Sequence, residues 1–273
     1  MRQPFSLIIG LTFICNILVG QEYDTVYGKP LIVLTETNPW LMVIGSDIPT
    51  FAMYENGRII YKKIENGHLK LYEVTLTGDE LEKLIRSLSV SDDLYKLKSS
   101  IEASSWTDQP SSDLILNFDS TRIISVYGDL QDSKDARKKT PKEFLKVYDK
   151  IKKYKNGSAK EWLPNKIEVM LWDYNYAPNK RPWLKNFPDL NSPSTIKYNN
   201  NTFSLFIDKA SFDEFKKYYL SMGEKEAVEI NDRKMAISYW LPFPNITRPS
   251  AMLDDNNESQ KKTFEDFFGP IKK

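Results

Sequence analysis

Residues 49–80 read PTFAMYENGRIIYKKIENGHLKLYEVTLTGDE, and this stretch indicates the class of fold. Three largely apolar runs are separated by two Asn-Gly pairs, at 56–57 and 66–67. Asn-Gly favours the positive φ angles of a tight hairpin turn, so the runs are expected to form consecutive antiparallel strands. Thr-Gly-Asp-Glu follows at 77–80, and this capping-box sequence predicts the start of a helix.

Three helices, over residues 78–88, 141–154 and 211–222, are predicted from capping residues and from apolar spacing. Thr140 is expected to cap the second helix and Ser211 the third, because each precedes a glutamate by three residues. Apolar residues that recur at helical spacing give each helix one face for the core. The faces contain Leu81, Leu84, Ile85 and Leu88 in the first helix, Phe144, Val147, Tyr148 and Ile151 in the second, and Phe212, Phe215 and Tyr219 in the third.

The remaining sequence adds short strands to both halves of the chain. This combination predicts an α+β fold in which antiparallel sheets carry capped helices packed on one face. A polar turn at 155–158 interrupts the pattern, and both halves show the same order of strands, helix and strands. We therefore expect two similar lobes, residues 21–156 and 157–273. Further strands are predicted near 114–116, 123–126, 166–174, 202–207, 227–230 and 234–241, and a C-terminal helix is expected to add Phe264, Phe267 and Phe268 to the core.

The first twenty residues, MRQPFSLIIGLTFICNILVG, have the layout of a secretory signal peptide. Arg2 precedes an apolar run of about fifteen residues, shorter than the roughly 20 that a membrane-spanning helix needs. An uncleaved N-terminal anchor is the alternative. Cleavage after Gly20 removes Cys15, the only cysteine. Lipidation of Cys15 is not expected, because the preceding residues lack the Leu and small residues of a lipoprotein signal. The protein is therefore expected to be exported, periplasmic or secreted, with no membrane span after cleavage.

The composition excludes several functional classes. The 273 residues include 38 Lys and Arg against 37 Asp and Glu, so the chain lacks the basic excess that nucleic-acid phosphates require. One cysteine and one histidine cannot supply a Cys/His zinc site. The histidine, His68, follows Asn66-Gly67 and is expected to be an exposed turn residue. The sequence contains no Gly-rich phosphate loop and no Gly-x-Ser-x-Gly, so we expect no cofactor.

Residues 172–183, WDYNYAPNKRPW, contain the strongest candidate for a binding surface. Aromatic rings with polar tips, together with a guanidinium group, are common at contact surfaces. The two prolines would restrict the loop before binding and so lower the cost of ordering it. The alternative is that the rings pack into the sheet and the prolines only stiffen a long loop. The residues predicted to contact a protein or glycan partner are Trp172, Tyr174, Tyr176, Arg181 and Trp183.

Carboxylates are the remaining catalytic groups, because glycoside hydrolysis and oxygen-ligand metal sites need only Asp and Glu. No spacing among them fixes a catalytic geometry. The predicted function is therefore a non-catalytic exported or cell-envelope protein that binds a partner or ligand. A carboxylate-dependent hydrolase acting on glycans is the alternative. The candidate carboxylates are Asp92-Asp93, Asp254-Asp255 and the separate Asp47, Asp108 and Asp173.

Part of the chain resembles a known group of proteins. The residues concerned are Pro49-Thr50-Phe51, Tyr54 to Tyr61, Thr107-Asp108 and Ser125-Val126-Tyr127. They resemble an uncharacterised group of exported bacterial proteins, over residues 49–128. The resemblance implies a bacterial envelope or secreted protein and carries no activity with it.

Overall fold

The computed structural model describes residues 23–39 and 47–246. The predicted signal peptide, Cys15, Asp254-Asp255 and the predicted C-terminal helix lie outside these ranges. The described chain forms two β-sheets, of eight and six strands, together with five α-helices. The α+β class predicted from the sequence is therefore confirmed.

The strands and helices follow one another along both halves of the chain. The first sheet contains β1 (Pro30–Thr37), β2 (Pro49–Tyr54), β3 (Arg58–Glu65), β4 (His68–Thr75), β5 (Ser100–Glu102), β6 (Ser111–Asn117), β7 (Thr121–Tyr127) and β8 (Lys160–Glu161). The second contains β9 (Lys166–Asp173), β10 (Asn179–Pro182), β11 (Ile196–Lys197), β12 (Thr202–Asp208), β13 (Glu226–Ile230) and β14 (Arg233–Trp240). The helices are α1 (Gly78–Leu88), α2 (Asp92–Tyr95), α3 (Lys134–Lys139), α4 (Lys142–Lys152) and α5 (Phe212–Leu220).

The first sheet has the strand order β5-β7-β6-β1-β2-β3-β4-β8, and α1 to α4 pack on one of its faces. The predicted hairpins around the two Asn-Gly pairs are confirmed as β2–β3 and β3–β4. Asn66 and Gly67 both have positive φ, 51° and 76°, whereas in the earlier turn only Gly57 does, at 86°. The core beneath the helices includes the predicted face of α4: Phe144, Val147, Tyr148 and Ile151.

Strand β1 lies in the middle of the first sheet and has no counterpart among the predicted strands. It pairs with β2 on one side and with β6 on the other, both antiparallel. Its sequence, PLIVLTET, begins with a continuous apolar run, which is typical of a strand buried on both faces. Ile32 and Leu34 belong to the core beneath the helices, whereas Val33 belongs to a second core on the opposite face.

The second sheet has the strand order β10-β13-β14-β9-β12-β11. Phe212 and Phe215 of α5 pack edge-to-face on Tyr239 of β14, with ring centroids 5.5 and 5.9 Å apart. The core that contains these two rings also includes Val33 and Tyr54 of the first sheet. The two sheets therefore share a hydrophobic core.

Two strand pairs are parallel, which differs from the antiparallel sheets expected. β5 pairs in parallel with β7, and β10 with β13. Parallel neighbours need a crossover connection. Residues 103–110 and β6 separate β5 from β7, while β11, β12 and α5 separate β10 from β13. Neither β5 nor β10 shows a strand pattern, because β5 has only three residues and β10 reads NKRP.

The predicted capping box of α1 is confirmed. The Thr77 hydroxyl accepts a hydrogen bond from the backbone N–H of Glu80, and the Glu80 carboxylate accepts one from the backbone N–H of Thr77 at 2.8 Å. Leu88 of the predicted apolar face is buried, and Leu81, Leu84 and Ile85 are half-buried against the same core. In the described ranges, none of the helices combines the length and the apolar character needed to cross a membrane.

The other two predicted caps are wrong. The Thr140 hydroxyl donates to the Ala136 carbonyl oxygen at 2.8 Å, at the end of α3, and the N-cap of α4 is Pro141, which makes no side-chain capping bond. Ser211 makes no capping bond, because a 3-10 turn at Lys209–Ser211 precedes α5. That turn holds Ser211 in helical backbone, with φ −95° and ψ −1°, whereas a capping serine has extended backbone.

Strand β8 follows the predicted lobe boundary at 155–158 and still belongs to the first sheet. It pairs with β4 through Glu161 and Lys160. The next residue, Trp162, donates its indole N–H to the Tyr27 hydroxyl at 2.9 Å. The chain therefore leaves the first sheet several residues after the predicted boundary.

The two ends of the described chain meet at Asn245. Its side-chain oxygen accepts a hydrogen bond from the backbone N–H of Asp24 at 2.7 Å. Its amide group donates to the carbonyl oxygens of Asp24 and Gly28, at 2.8 and 2.7 Å. The Tyr54 hydroxyl donates to the neighbouring Pro244 carbonyl oxygen at 2.9 Å. The segment after β14 is thus fixed to the first sheet.

Candidate functional site

The structure divides the five predicted binding residues into an exposed group and a packed group. Trp172, Tyr174 and Tyr176 lie at and beyond the end of β9. Tyr176 is 85% exposed, Tyr174 is half-buried, and Trp172 is half-buried and packs against the core that the two sheets share. Arg181 lies on β10 and Trp183 directly after it, and Trp183 is only 9% exposed. The two groups therefore have different roles.

A turn at residues 174–177 holds the exposed group in place. Tyr174 donates its backbone N–H to the Lys234 carbonyl oxygen at 2.9 Å, and Ala177 donates to the Tyr174 carbonyl oxygen at 3.0 Å. The Lys234 ammonium group donates to the Ala177 carbonyl oxygen at 2.9 Å. Because these bonds tie both ends of the turn to β14, little further ordering is needed when a ligand binds.

Tyr174 and Tyr176 form two rings in edge-to-face contact, which we call the tyrosine pair. Their ring centroids are 4.8 Å apart and their planes are at 86°, a favourable arrangement for two aromatic rings. Tyr174 thus supports Tyr176 from one side and leaves most of its ring in solvent. A flat ring with a polar tip, held in a fixed orientation, is typical of contact surfaces.

The polar side chains beside the tyrosine pair are bonded to one another. Asp173 accepts a hydrogen bond from the Asn175 amide at 2.7 Å and lies 3.5 Å from the Arg233 guanidinium. Arg233 also donates to the Asn201 side-chain oxygen at 3.3 Å, and it lies over the ring of Phe203 at 5.2 Å. Asp173, one of the candidate catalytic carboxylates, is therefore paired with a cation.

Trp183 packs inside the fold. Its indole N–H donates to the Pro188 carbonyl oxygen at 2.8 Å. Its ring makes edge-to-face contacts with Phe187, Phe215 and Tyr218, at centroid distances of 6.1, 6.3 and 5.9 Å. Both the ring and its polar atom are used within the fold, so Trp183 supports the segment from inside.

Arg181 fastens β10 to the residues that follow α5. Its guanidinium donates to the hydroxyl and carbonyl oxygens of Ser221, at 2.8 and 2.9 Å, and lies 2.8 Å from a Glu226 carboxylate oxygen. It also lies over the Tyr218 ring at 5.4 Å. The hydrogen bond between Arg181 and Glu226 lowers the pKa of Glu226 and raises the pKa of Arg181. Because this guanidinium is bonded within the fold, the predicted contact with a partner depends on the more exposed residues, above all Tyr176.

The other candidate carboxylates in the described ranges have local structural roles. Asp92 and Asp93 lie in the first turn of α2, where Asp93 pairs with Lys96 at 3.0 Å. Asp47 accepts a backbone hydrogen bond at 3.2 Å. Asp108 lies in a loop with a left-handed φ of 55°. Asp93 and Asp47 therefore have partners within the fold.

Metal binding finds no support in residues 23–39 and 47–246. Within them, no group of three or more His, Cys, Asp or Glu side chains is placed to hold a metal ion. His68 is exposed at the start of β4, directly after the Asn66-Gly67 turn, as expected.

A partly buried ionic cluster around Glu36, at the end of β1, is not among the sites predicted from the sequence. The Glu36 carboxylate accepts hydrogen bonds from Thr50 and Tyr148 at 2.8 Å, from Lys152 at 2.7 Å and from Gln131 at 3.1 Å. Burial alone raises the pKa of Glu36, but the hydrogen bond and charge of Lys152, together with the two hydroxyl donors, outweigh it and lower the pKa. The donors lie 14 to 116 residues further along the chain, so no local pattern indicates them.

The chain matches no protein-family model, no curated protein and no solved structure. The geometry of the described residues is therefore the basis for assigning a function.

Proposed function

We propose that the protein is a non-catalytic exported or cell-envelope protein that binds a protein or glycan partner through the tyrosine pair. The observation that carries this proposal is Tyr176, whose ring is 85% exposed yet supported by Tyr174. Burying apolar surface stabilises a complex by roughly 25 cal/mol per Å². A ring that is already ordered loses little conformational entropy on binding. More of the free energy gained by burying it therefore contributes to the affinity.

The surroundings of the tyrosine pair support a contact role. Trp172, at the end of β9, packs against the core and leaves only part of its side chain exposed. Asp173, Asn175 and Asn201 supply hydrogen-bonding groups beside the rings, and Arg233 balances the charge of Asp173. A partner would therefore meet aromatic surface bordered by polar groups, the usual composition of a recognition site.

Arg181 and Trp183 act in this proposal as positioning residues. They hold β10 against β13 and α5, so the loop between β9 and β10 is anchored at both ends. The five predicted residues thus work as one unit, in which the exposed rings make the contact.

Export is part of the proposal and depends on the signal-like layout of residues 1–20. Removal of that segment leaves a chain without cysteine. Such a chain forms no disulfides and has no thiol that oxidising conditions outside the cytoplasm would modify.

The test is capture by immobilised protein from the envelope and secreted fractions of the cells that make it. Wild type and Leu220→Ala, which changes a 68% exposed side chain on α5, should retain the same proteins and glycans. Tyr176→Ala should retain about tenfold less of the specific partner, because truncating an aromatic contact residue commonly costs more than 1 kcal/mol.

Two results would reject the proposal. Equal retention by Tyr176→Ala and wild type would remove the tyrosine pair as the contact surface. Release of new reducing ends from a retained glycan by the purified wild type would replace the non-catalytic assignment with a hydrolase.

A further inference from the structure

A second feature lies on the first sheet, whereas the tyrosine pair lies at the end of a strand of the second. Strand β7 lies between β5 and β6, so residues 103–110, which we call the crossing loop, pass over the end of β7. Glu102 and Ser111 both pair with Tyr127 at that end, from opposite sides. The ends of the loop are therefore about two strand spacings apart, roughly 10 Å. Eight residues reach much further than this, so the loop has length to project from the sheet.

The crossing loop is nevertheless held firmly at both ends. Ala103 and Ser104 donate their backbone N–H groups to the Tyr127 carbonyl oxygen, at 2.9 and 3.1 Å. At the other end, Gly128 donates to the Pro110 carbonyl oxygen at 2.8 Å. A Cβ on Gly128 would lie 3.3 Å from that of Ala103, so the loop begins in close contact with β7.

The Tyr127 hydroxyl holds the middle of the loop. It donates to the Trp106 carbonyl oxygen at 2.9 Å and accepts from the Gln109 backbone N–H at 3.1 Å. The backbone N–H of Trp106 donates to the Ser104 hydroxyl at 3.1 Å. One side chain from β7 thus fixes the backbone on both sides of the loop tip.

The side chain at this fixed tip is an exposed tryptophan. Trp106 is 77% exposed, and its neighbours Ser105, Thr107 and Asp108 are also exposed. A tryptophan ring gains much from burial, and packing does not explain its place on a rigid, projecting loop. The arrangement instead suits a ring that becomes covered when a ligand binds.

We propose that Trp106 is a stacking platform for a pyranose ring, so that the crossing loop is a glycan-binding site. The less polar face of a pyranose presents C–H groups to an indole, while its hydroxyl rim meets hydrogen-bonding groups. The loop offers this combination, a single large ring flanked in the sequence by the exposed polar residues Ser105, Thr107 and Asp108. The inference goes beyond the function proposed above, because it concerns a different sheet and does not depend on the tyrosine pair.

Two other kinds of partner fit less well. A stable protein interface usually covers about 800 Å² on each side, and several apolar residues form its centre. The exposed part of this loop has a single large apolar side chain, Trp106. A membrane surface favours tryptophan beside Lys or Arg, whereas the charged residue in the crossing loop is Asp108.

The test is titration of the full-length mature protein with three soluble probes: a β-1,3-glucan, a xyloglucan and the hexamer of N-acetylglucosamine. In the described ranges Trp162, Trp183 and Trp240 are buried and Trp172 is half-buried, while Trp40 lies outside them, so an emission change is assigned to Trp106 when it is lost in Trp106→Ala. We expect at least one probe to bind and to shift the emission to shorter wavelength. Trp106→Ala should weaken that binding about tenfold, Trp106→Phe should keep part of it, and Leu220→Ala should leave it unchanged.

Tyr127→Phe tests the positioning role of the hydroxyl. The variant keeps Trp106 but removes the group that accepts from Gln109, so the Gln109 amide should exchange its hydrogen faster than in wild type. Glycan affinity should fall in parallel, because binding must then order the loop.

The proposal is overturned if wild type binds none of the three probes, or if Trp106→Ala binds as tightly as wild type. Binding of wild type, but not Trp106→Ala, to vesicles of anionic phospholipid in the absence of glycan binding would assign the indole to a membrane surface instead. Unchanged affinity in a Tyr127→Phe chain with faster Gln109 exchange would remove Tyr127 from the proposal as a positioning residue.

Discussion

Trp183 and Tyr176 lie seven residues apart, yet one is 9% and the other 85% exposed. We expect Trp183→Ala to lower the free energy of unfolding by about 3–5 kcal/mol, the usual cost of deleting a buried aromatic ring. Tyr176→Ala should change it by less than about 0.5 kcal/mol, as for most exposed positions. Urea titrations followed by far-UV circular dichroism measure both values. Similar stability of the two variants would contradict the packing of the Trp183 indole.

Glu36 is expected to make stability depend on acidity. Its pKa is lowered in the folded protein, so its contribution is present above the unfolded value of about 4.3 and is lost as the pH falls through the lower folded value. Glu36→Gln leaves the half-buried Lys152 beside a neutral group, and we expect a loss of about 1–3 kcal/mol at pH 7. The variant should also lose less stability than wild type on acidification, which urea titrations across this range will measure.

The matched control for Glu36 is Glu82→Gln. Glu82 pairs with Arg86 on the exposed side of α1, and exposed pairs of this kind contribute little to stability. This variant should follow wild type across the pH range. If Glu36→Gln does the same, the hydrogen bonds around Glu36 are unimportant for the fold.

At the scale of whole elements, α1 and α5 begin in different ways, and their stability should reflect the difference. Thr77→Ala removes the capping bond of α1 and should lower the free energy of unfolding by about 1 kcal/mol. Ser211→Ala should have almost no effect, because Ser211 makes no capping bond. Thermal unfolding of the two variants measures the comparison. An equal shift in Tm would show that the capping geometry does not determine the difference.

Turns, caps and helix faces that depend on residues close together in the sequence could be predicted from it. The Asn66-Gly67 turn, the Thr77 capping box and the buried face of α4 are each decided by residues within a few positions of one another. Thr140 shows the limit of this reasoning, since its hydroxyl has a competing local partner in the Ala136 carbonyl oxygen. Strand β5 could not be predicted, because its three residues are held in place by β7, more than twenty residues later.

The candidate site was predictable only in part, for the same reason. The density of rings in residues 172–183 is visible in the sequence. Which of them pack inside depends on residues far along the chain, such as Phe215 and Tyr218 beside Trp183. Trp106 was not predicted as a site, because its exposure results from the order of β5, β7 and β6, which the sequence does not reveal.

At the scale of the whole molecule, export predicts a defined mature chain. Intact-mass measurement on protein isolated from its native source should give a chain without residues 1–20, and thiol titration of the unfolded protein should give none, because Cys15 is the only cysteine. A chain that retains Met1 would contradict cleavage. A mass that includes a lipid on Cys15 would identify a lipoprotein.

Asn245 also determines when the molecule can finish folding. Asp24 and Gly28 are made early in synthesis, but their hydrogen-bonding partner is made more than two hundred residues later. During synthesis, Tyr54 and Asp24 therefore lack these hydrogen-bonding partners until the segment after the second sheet has been made. A chain that stops before Pro244 should remain open to proteases at both ends. The first and last described segments lie side by side, so joining residue 23 to residue 246 by a short linker and opening new ends elsewhere should leave the path of the strands unchanged.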